Sequence, residues 1–283
     1  MLWTLAMLAM MAAAIEAITV TSARFERSAL DRTRLEADID AGVARAALGI
    51  GDPRSGERWR VDGVPQRFVF NGDAITVSVQ DEGGRIDLNA ADAAAIKQLL
   101  VSAGLSAQEA DALGDKILDW RTPVDETDMH RLNGATDGDY EAAGLIYRPR
   151  HGPFQSVEEL NLVLGMTPAL YARVRPALTV YSRSDKVDLS VAPPEVQRAF
   201  PASAVDESGA TQPEPLQTSG GNAFGREAAT DAPAGTVRDV AGLAGHSFAI
   251  RVDAEHGRNR LSREIVIAFT DDKRRPFLVE AWH

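Results

Sequence analysis

Apolar residues fall along this chain in three regimes. Residues 1–15, MLWTLAMLAMMAAAI, contain no ionisable side chain, and the apolar run continues through Ile18 and Val20 with Glu16 as its first charge. A helix of roughly 20 apolar residues spans the hydrocarbon layer of a bilayer, so residues 1–22 are predicted to form a transmembrane segment. The alternative is a cleaved secretory signal. MAAAIEA offers small residues to a signal peptidase, but no basic region precedes the apolar run. Residues 23–52 take on an amphipathic period. Phe25, Ala29, Arg32, Leu35, Ile39, Val43, Ala46 and Ala47 recur at steps of three and four, one face of a helix. Gly49, Gly51 and Pro53 then stop it. The two stretches predict one continuous helix, its first half suited to lipid and its second half to packing on a globular head.

The second regime has a period of two. Short β-type runs occur at Arg58–Val61, Phe68–Phe70 and Ala74–Gln80, and again at Ser247–Val252, Glu264–Phe269 and Phe277–Ala281. Asn71-Gly72-Asp73 is a hairpin signal. Neither set makes a full sheet alone, so residues 53–84 and 237–283 are expected to build one β region together.

Between them lies the third regime, residues 85–200, with helical spacing. Ser106-Ala-Gln-Glu109 and Ser156-Val-Glu-Glu159 match the capping box, and Thr167-Pro168 reads as N-cap and first helical residue. Ile86-Asp-Leu-Asn-Ala90 recurs loosely as Val187-Asp-Leu-Ser-Val191, where Asn89 or Asp92 and Ser190 could cap the helices that follow. Phe154 to Tyr171 reads as a helix-hairpin-helix with Gly165 at the turn. Residues 201–236, rich in Ser, Gly, Pro, Thr and Ala, are expected to be a flexible loop.

Charge narrows the functional classes. With 41 Asp and Glu against 30 Lys and Arg, the net charge is −11, opposite in sign to a surface that neutralises phosphates. The hairpin at 155–180 has no basic cluster either, so no nucleic-acid partner is expected. There is no cysteine, which removes disulfides, thiol catalysis and zinc–thiolate sites. No G-x-S-x-G, P-loop or H-E-x-x-H occurs. Gly49-Ile-Gly51 lacks the third glycine of a dinucleotide loop, and His130, His151, His246, His256 and His283 are scattered. No catalytic residue can be named, and the chain is not expected to be an enzyme.

The acidity is concentrated. Residues 81–140 hold 13 carboxylates and only five Lys or Arg, a net −8. Asp119, Asp125, Glu126, Asp128, Asp137 and Asp139 lie within 21 residues broken by Pro123, Gly134 and Gly138. Hard oxygen ligands at short spacing, with glycines that let the backbone fold around an ion, suit Ca²⁺, although the EF-hand pattern is absent. A solvated acidic surface is the other reading, and the residues alone leave the two open.

The strings DEGGRIDLNAA (81–91), ILDWRTPVDE (117–126), NGATDGDYEAAGL (133–145) and PFQSVEELNLVLGMTPALYARVRPALTVYS (153–182), taken in this order, resemble the minor pseudopilin K family of bacterial type II secretion, also called general secretion pathway protein K. The resemblance is strong over about residues 1–200 and weak in the C-terminal strands. It implies an α+β, pilin-like fold: a long N-terminal helix and a small antiparallel sheet, with a large all-α domain inserted between strands. It further implies a structural role at the tip of the periplasmic pseudopilus. Other minor pseudopilins, I and J, are the implied partners, with H as a further candidate, alongside the inner-membrane secretion assembly. A single-pass anchor in the inner membrane would hold the head in the periplasm. The resemblance also implies structural Ca²⁺ in the helical domain, which falls on the acidic loop.

Family members begin with a basic leader cut by prepilin peptidase, whereas Met1 here falls inside the segment that follows it. The resemblance therefore implies an upstream leader with that peptidase as a processing partner. A basic leader held in the cytoplasm would also offset Arg24 and Arg27, which alone favour a cytoplasmic head. A membrane-tethered periplasmic binding module, using its helical hairpins on some other partner, is the competing reading.

Overall fold

The computed structural model describes residues 2–52, 54, 58–123, 131–201, 243–272 and 274–282. The expected flexible loop at 201–236 lies, after residue 201, outside the described residues. The chain divides into two compact units. The first comprises residues 1–79, 249–267 and 277–283, and the second comprises 80–248 and 268–276.

The first unit is built on α1 (Leu2–Ile50), the single long helix expected from the sequence. Its buried face repeats at three- and four-residue steps through Leu35, Asp38, Ile39, Ala46, Ala47 and Ile50. Arg32 falls outside that face: its side chain is solvent-exposed and pairs with Glu36 one turn on. Among the described residues no helix is long and apolar enough to cross a membrane. The side chains at 14, 15 and 17–27, through which the expected span runs, are not among them.

Five strands, β1 (Gln66–Phe70), β2 (Asp73–Asp81), β5 (Ser247–His256), β6 (Asn259–Phe269) and β7 (Phe277–Trp282), form one sheet in the order β1-β2-β5-β6-β7. The early and late strands thus combine in one sheet. β1 and β2 are antiparallel with Phe70 opposite Asp73. That leaves Asn71 and Gly72 as a two-residue loop with φ of 52° and 88°, the positive values such hairpin turns require. The core-facing residues Ile75, Val77 and Val79 alternate along β2, and Ile250, Val252 and Ala254 along β5, all fully buried or nearly so.

The strand expected at 58–61 does not form. Trp59 instead closes over the end of α1: its N–H donates to the Gly49 carbonyl at 3.0 Å. A Cβ on Gly49 would sit 2.5 Å from the indole, so the close approach that replaces strand pairing depends on that glycine.

The second unit holds the helices α2 (Ala93–Ser102), α3 (Ala107–Arg121), α4 (Asp137–Ala142), α5 (Pro168–Val174) and α6 (Pro194–Ala199). It is not wholly helical. β3 (Ile86–Asp87) pairs in parallel with β4 (Leu178–Thr179), holding together segments about 90 positions apart. Ile86, Leu88, Ile96, Leu100, Ile117, Tyr140, Leu160 and Val196 centre one buried core. The Ser106 capping box forms as expected, Asp92 caps α2 through Ala95 N–H at 2.7 Å, and Thr167 caps α5.

The Ser156 box does not form. Residues Val157–Leu162 take a 3-10 turn without a side-chain cap, and Glu159 instead accepts from Gln155 N–H and Arg150. The expected helix-hairpin-helix therefore has one 3-10 limb and one α limb, joined at Gly165 with φ of 95°. Ser190 caps no helix; it donates to Asp188. Asp87 and Asp188 both accept from the N–H two residues on, so the repeated I/V-D-L motif encodes an Asx turn.

Candidate metal centre

α3 delivers the first carboxylates of the acidic region. Its capping box fixes the start and its apolar face (Ala110, Leu113, Ile117, Leu118, Trp120) is buried, which leaves Asp111, Asp115 and Asp119 one turn apart on another face. Lys97 of α2 neutralises the first two, at 3.2 and 3.3 Å. Asp119, only 9% exposed, receives Arg131 on Oδ1 at 3.0 Å. Its Oδ2 is buried with no hydrogen-bond partner. Gly134 packs against that oxygen so closely that a Cβ there would lie 1.7 Å from it.

The other expected ligands divide into two groups. Asp125, Glu126 and Asp128 fall in 124–130, outside the described residues. Asp137, at the start of α4, lies 3.0 Å from His151 Nε2 and 3.4 Å from an Arg148 nitrogen. Asp139 accepts from the Thr136 N–H and hydroxyl through one oxygen, at 2.7 and 2.8 Å, and so helps start α4. Among the described residues no group of three or more such side chains converges to hold a metal. One described oxygen has the chemistry that a hard cation takes. A carboxylate oxygen buried without a donor is costly as it stands, and Asp119 Oδ2 is such an oxygen at the mouth of the acidic loop.

Sequence reasoning missed Asp115 and Asn133, whose amide donates to Asp115 at 3.4 Å. The signal was available: Asp115 lies four residues before Asp119 on one helix. It also missed the frame behind the site. The Arg121 guanidinium donates to the Leu88 and Ala91 carbonyls at 2.5 and 2.6 Å. Asn89 exchanges two hydrogen bonds with the Phe154 backbone, at 2.7 and 2.9 Å. Trp120 stacks on Phe154, with ring centres 6.1 Å apart and planes 19° apart, and Tyr140 packs beside it. The Tyr140 hydroxyl accepts from Leu164 N–H at 2.9 Å, and burial pushes its pKa up to about 12. The end of α3 is thereby tied to Leu88 and Ala91 and stacked on Phe154.

The second unit also holds most of the segment that matches a known family. The profile of the type II secretion system (T2SS) protein K family matches residues 70–183. Type II secretion system protein K of Klebsiella pneumoniae is 30% identical over 200 residues, covering 62% of this chain and 60% of that protein. The protein K of Dickeya chrysanthemi is 32% identical over 95 residues, 34% of this chain and 25% of that one. The chain thus spans less than two thirds of the length of either relative. A chain in the crystal structure of the GspK-GspI-GspJ complex from the enterotoxigenic Escherichia coli type 2 secretion system shares its fold. Its TM-score is 0.58 at 15% identity, over 91% of this chain and 98% of the other. Over residues 70–183, the chain is similar to the type II secretion system protein K family.

Proposed function

We propose that this protein is a minor pseudopilin at the tip of the type II secretion pseudopilus, where it supports fibre assembly and the export of folded proteins from the periplasm. The observation that carries the reading is the family match at 70–183 joined to a fold likeness that extends over nearly the whole chain. The role is structural rather than catalytic. Residues 1–22 of α1 are the inner-membrane anchor, a single pass with the head in the periplasm. Leu2, Trp3, Met7, Leu8, Met10 and Met11 support this, because each is more than half exposed and a run of bare apolar side chains on one helix needs a nonaqueous or protein cover. Residues 23–52 carry the head. Residues 53–84 and 237–283 are the pilin-like β region, and the helical domain, 85–200, is inserted between its strands. The partners are minor pseudopilins I and J, with H as a further candidate, and the inner-membrane secretion assembly, after prepilin peptidase has cut a leader.

The acidic loop belongs to this reading as a calcium site. Asp119 offers its donorless oxygen, and Asp125, Glu126, Asp128, Asp137 and Asp139 are the candidate co-ligands. Bound there, Ca²⁺ would cancel carboxylate repulsion and fix the loop. Arg131, Lys97 and His151 hold the carboxylates apart at their present positions.

The test is co-expression of the full chain with minor pseudopilins I and J. Stable detergent-resistant co-purification is expected, as is loss of export on gene deletion, restored by the full chain but not by one lacking 85–200. Normal export in the deletion strain, with no co-purification, would sink the proposal. Capture of a different periplasmic protein in their place would favour the binding-module reading. For calcium, a hundredfold excess over Kd stabilises the folded form by about 2.7 kcal/mol, so melting should rise with Ca²⁺ and fall with chelator. Identical melting curves and no binding heat would reduce the loop to a solvated surface.

A further inference from the structure

A carboxylate occupies a core position on α1. Asp38 lies in the buried stripe between Leu35 and Ile39, is 0% exposed, and neither of its oxygens has a hydrogen-bond donor. The group it meets is another carboxylate, Asp73 at the start of β2. Asp73 is already satisfied on both oxygens. Oδ1 lies 2.7 Å from His256 Nδ1 at the end of β5, and Oδ2 accepts from Arg34 Nε of α1 at 2.6 Å. Arg34 also donates to the Asn71 carbonyl in the β1–β2 turn at 2.7 Å. Across the β5–β6 turn, Asn259 donates to Asp31 of α1 at 3.0 Å, with His256 Nε2 3.9 Å from the same aspartate. Among the described residues, the charged or titratable groups that act on Asp38 are Arg34 on its own helix, Asp73 on β2 and His256 on β5, with Asp31 on the far side of His256.

Two carboxylates that face each other with no donor between them repel unless one carries a proton. Asp73, held by two donors, keeps its charge, and Asp38, with none, is the one that takes the proton. We propose that Asp38 is a proton-operated fastener of α1. Protonated, it donates to Asp73 and ties the helix to the β1–β2 and β5–β6 turns; ionised, it loosens that hold.

Burial first, and then the Asp73 carboxylate, raise the Asp38 pKa. His256 and Arg34 hold Asp73 below the usual carboxylate range. The two aspartates are pushed in opposite directions, the pattern of a pair that shares one proton. Because the folded pKa of Asp38 is raised, its stabilisation is complete below the unfolded value of about 3.9. It is lost as pH rises through the folded value, with the closed-to-open ratio falling about tenfold per pH unit in between. Asp73, with a lowered pKa, opposes this only in stronger acid. The head therefore grips α1 most firmly near the unfolded carboxyl value of about 3.9 and progressively less as pH rises from there.

The experiment uses the full chain in detergent, with hydrogen exchange read over residues 35–50 from about pH 4 to about pH 9 and corrected for intrinsic base catalysis. Wild-type protection should fall about tenfold per pH unit across the transition. Asp38→Asn, a permanent neutral donor, should match wild type in acid and exceed it above the transition. In parallel, the carboxyl carbon of Asp38 is titrated in ¹³C-labelled wild-type protein, a measurement that needs no variant to fold. Titration of Asp38 at the ordinary aspartate value would overturn the proposal. So would an Asp38→Asn profile that runs parallel to wild type at every pH.

Discussion

Asn89 joins two segments of the second unit that lie 65 positions apart, and its removal should be felt throughout that unit. Its side chain accepts from Phe154 N–H at 2.7 Å and donates to Phe154 C=O at 2.9 Å. These bonds reach across 65 positions to hold the Phe154 ring, 3% exposed, against Trp120. Asn89→Ala strands both backbone groups in a partly buried site. Each orphaned group costs about 1–3 kcal/mol, and because the two are adjacent and share relaxation they do not add fully. About 2–3 kcal/mol is expected in total. A unit of this size shifts about 2–4 °C per kcal/mol, so the calorimetric transition of the variant should fall by roughly 4–12 °C. Asn161→Ala is the control. That amide also donates to a carbonyl, Glu158 at 3.1 Å, but on the exposed surface where water replaces it. If Asn89→Ala melts with the control, the joint carries no stability and the account of how α3 is fixed is wrong.

The remaining predictions concern single sites. Gly134→Ala should displace Asp119, because the added carbon would overlap its Oδ2; any calcium-dependent rise in melting temperature should disappear, and a retained rise would remove Asp119 from the ligand set. Tyr140 should ionise above the ordinary tyrosine range, near pH 12. Its folded pKa is raised, so its contribution to stability is intact below about pH 10, the unfolded value, and lost as pH climbs through 12; phenolate absorbance of wild type against Tyr140→Phe reads this directly. Gly72→Ala, at φ of 88°, should cost about 1–2 kcal/mol, whereas the control Gly152→Ala, whose φ is not positive and whose added carbon would touch only a carbonyl at 3.9 Å, should cost clearly less.

Local rules carried the sequence reading a long way. α1 was legible because period and stop signals agree over nearly 50 residues, and the Asn71-Gly72 hairpin because only residues tolerant of positive φ fit it. The Ser106 and Thr167 caps were legible because capping involves neighbours in sequence. Failures came where distant partners decide. β3 and β4 are two residues each, too short for any period, and exist only as a pair. Residues 58–61 have strand character, yet the indole of Trp59 is claimed by the end of α1. Ser156 and Glu159 have the spacing of a capping box, but Glu159 is taken by Arg150. In the acidic region composition singled out Asp119, Asp137 and Asp139 together as candidate ligands. It could not foresee that Asp139 would be engaged by Thr136, because that depends on where α4 begins.

The strand order carries a consequence for how the protein is made. β2 is buried along most of its length and lies between β1 and β5, yet Asp81 and Ser247 are separated by 166 positions. At a synthesis rate of ~5–20 residues per second, roughly 8 to 33 s pass before β5 follows β2 out of the ribosome. The helices of the second unit rest on local contacts and can form within that interval. Over the same interval the β1–β2 hairpin presents a bare edge with Ile75, Val77 and Val79 uncovered, the situation that invites wrong pairing. Slow-translating or crowded conditions should therefore harm the yield of this protein more than its final stability would suggest. Factors that shield nascent strands should matter more to it than to a protein whose sheet is built from consecutive strands.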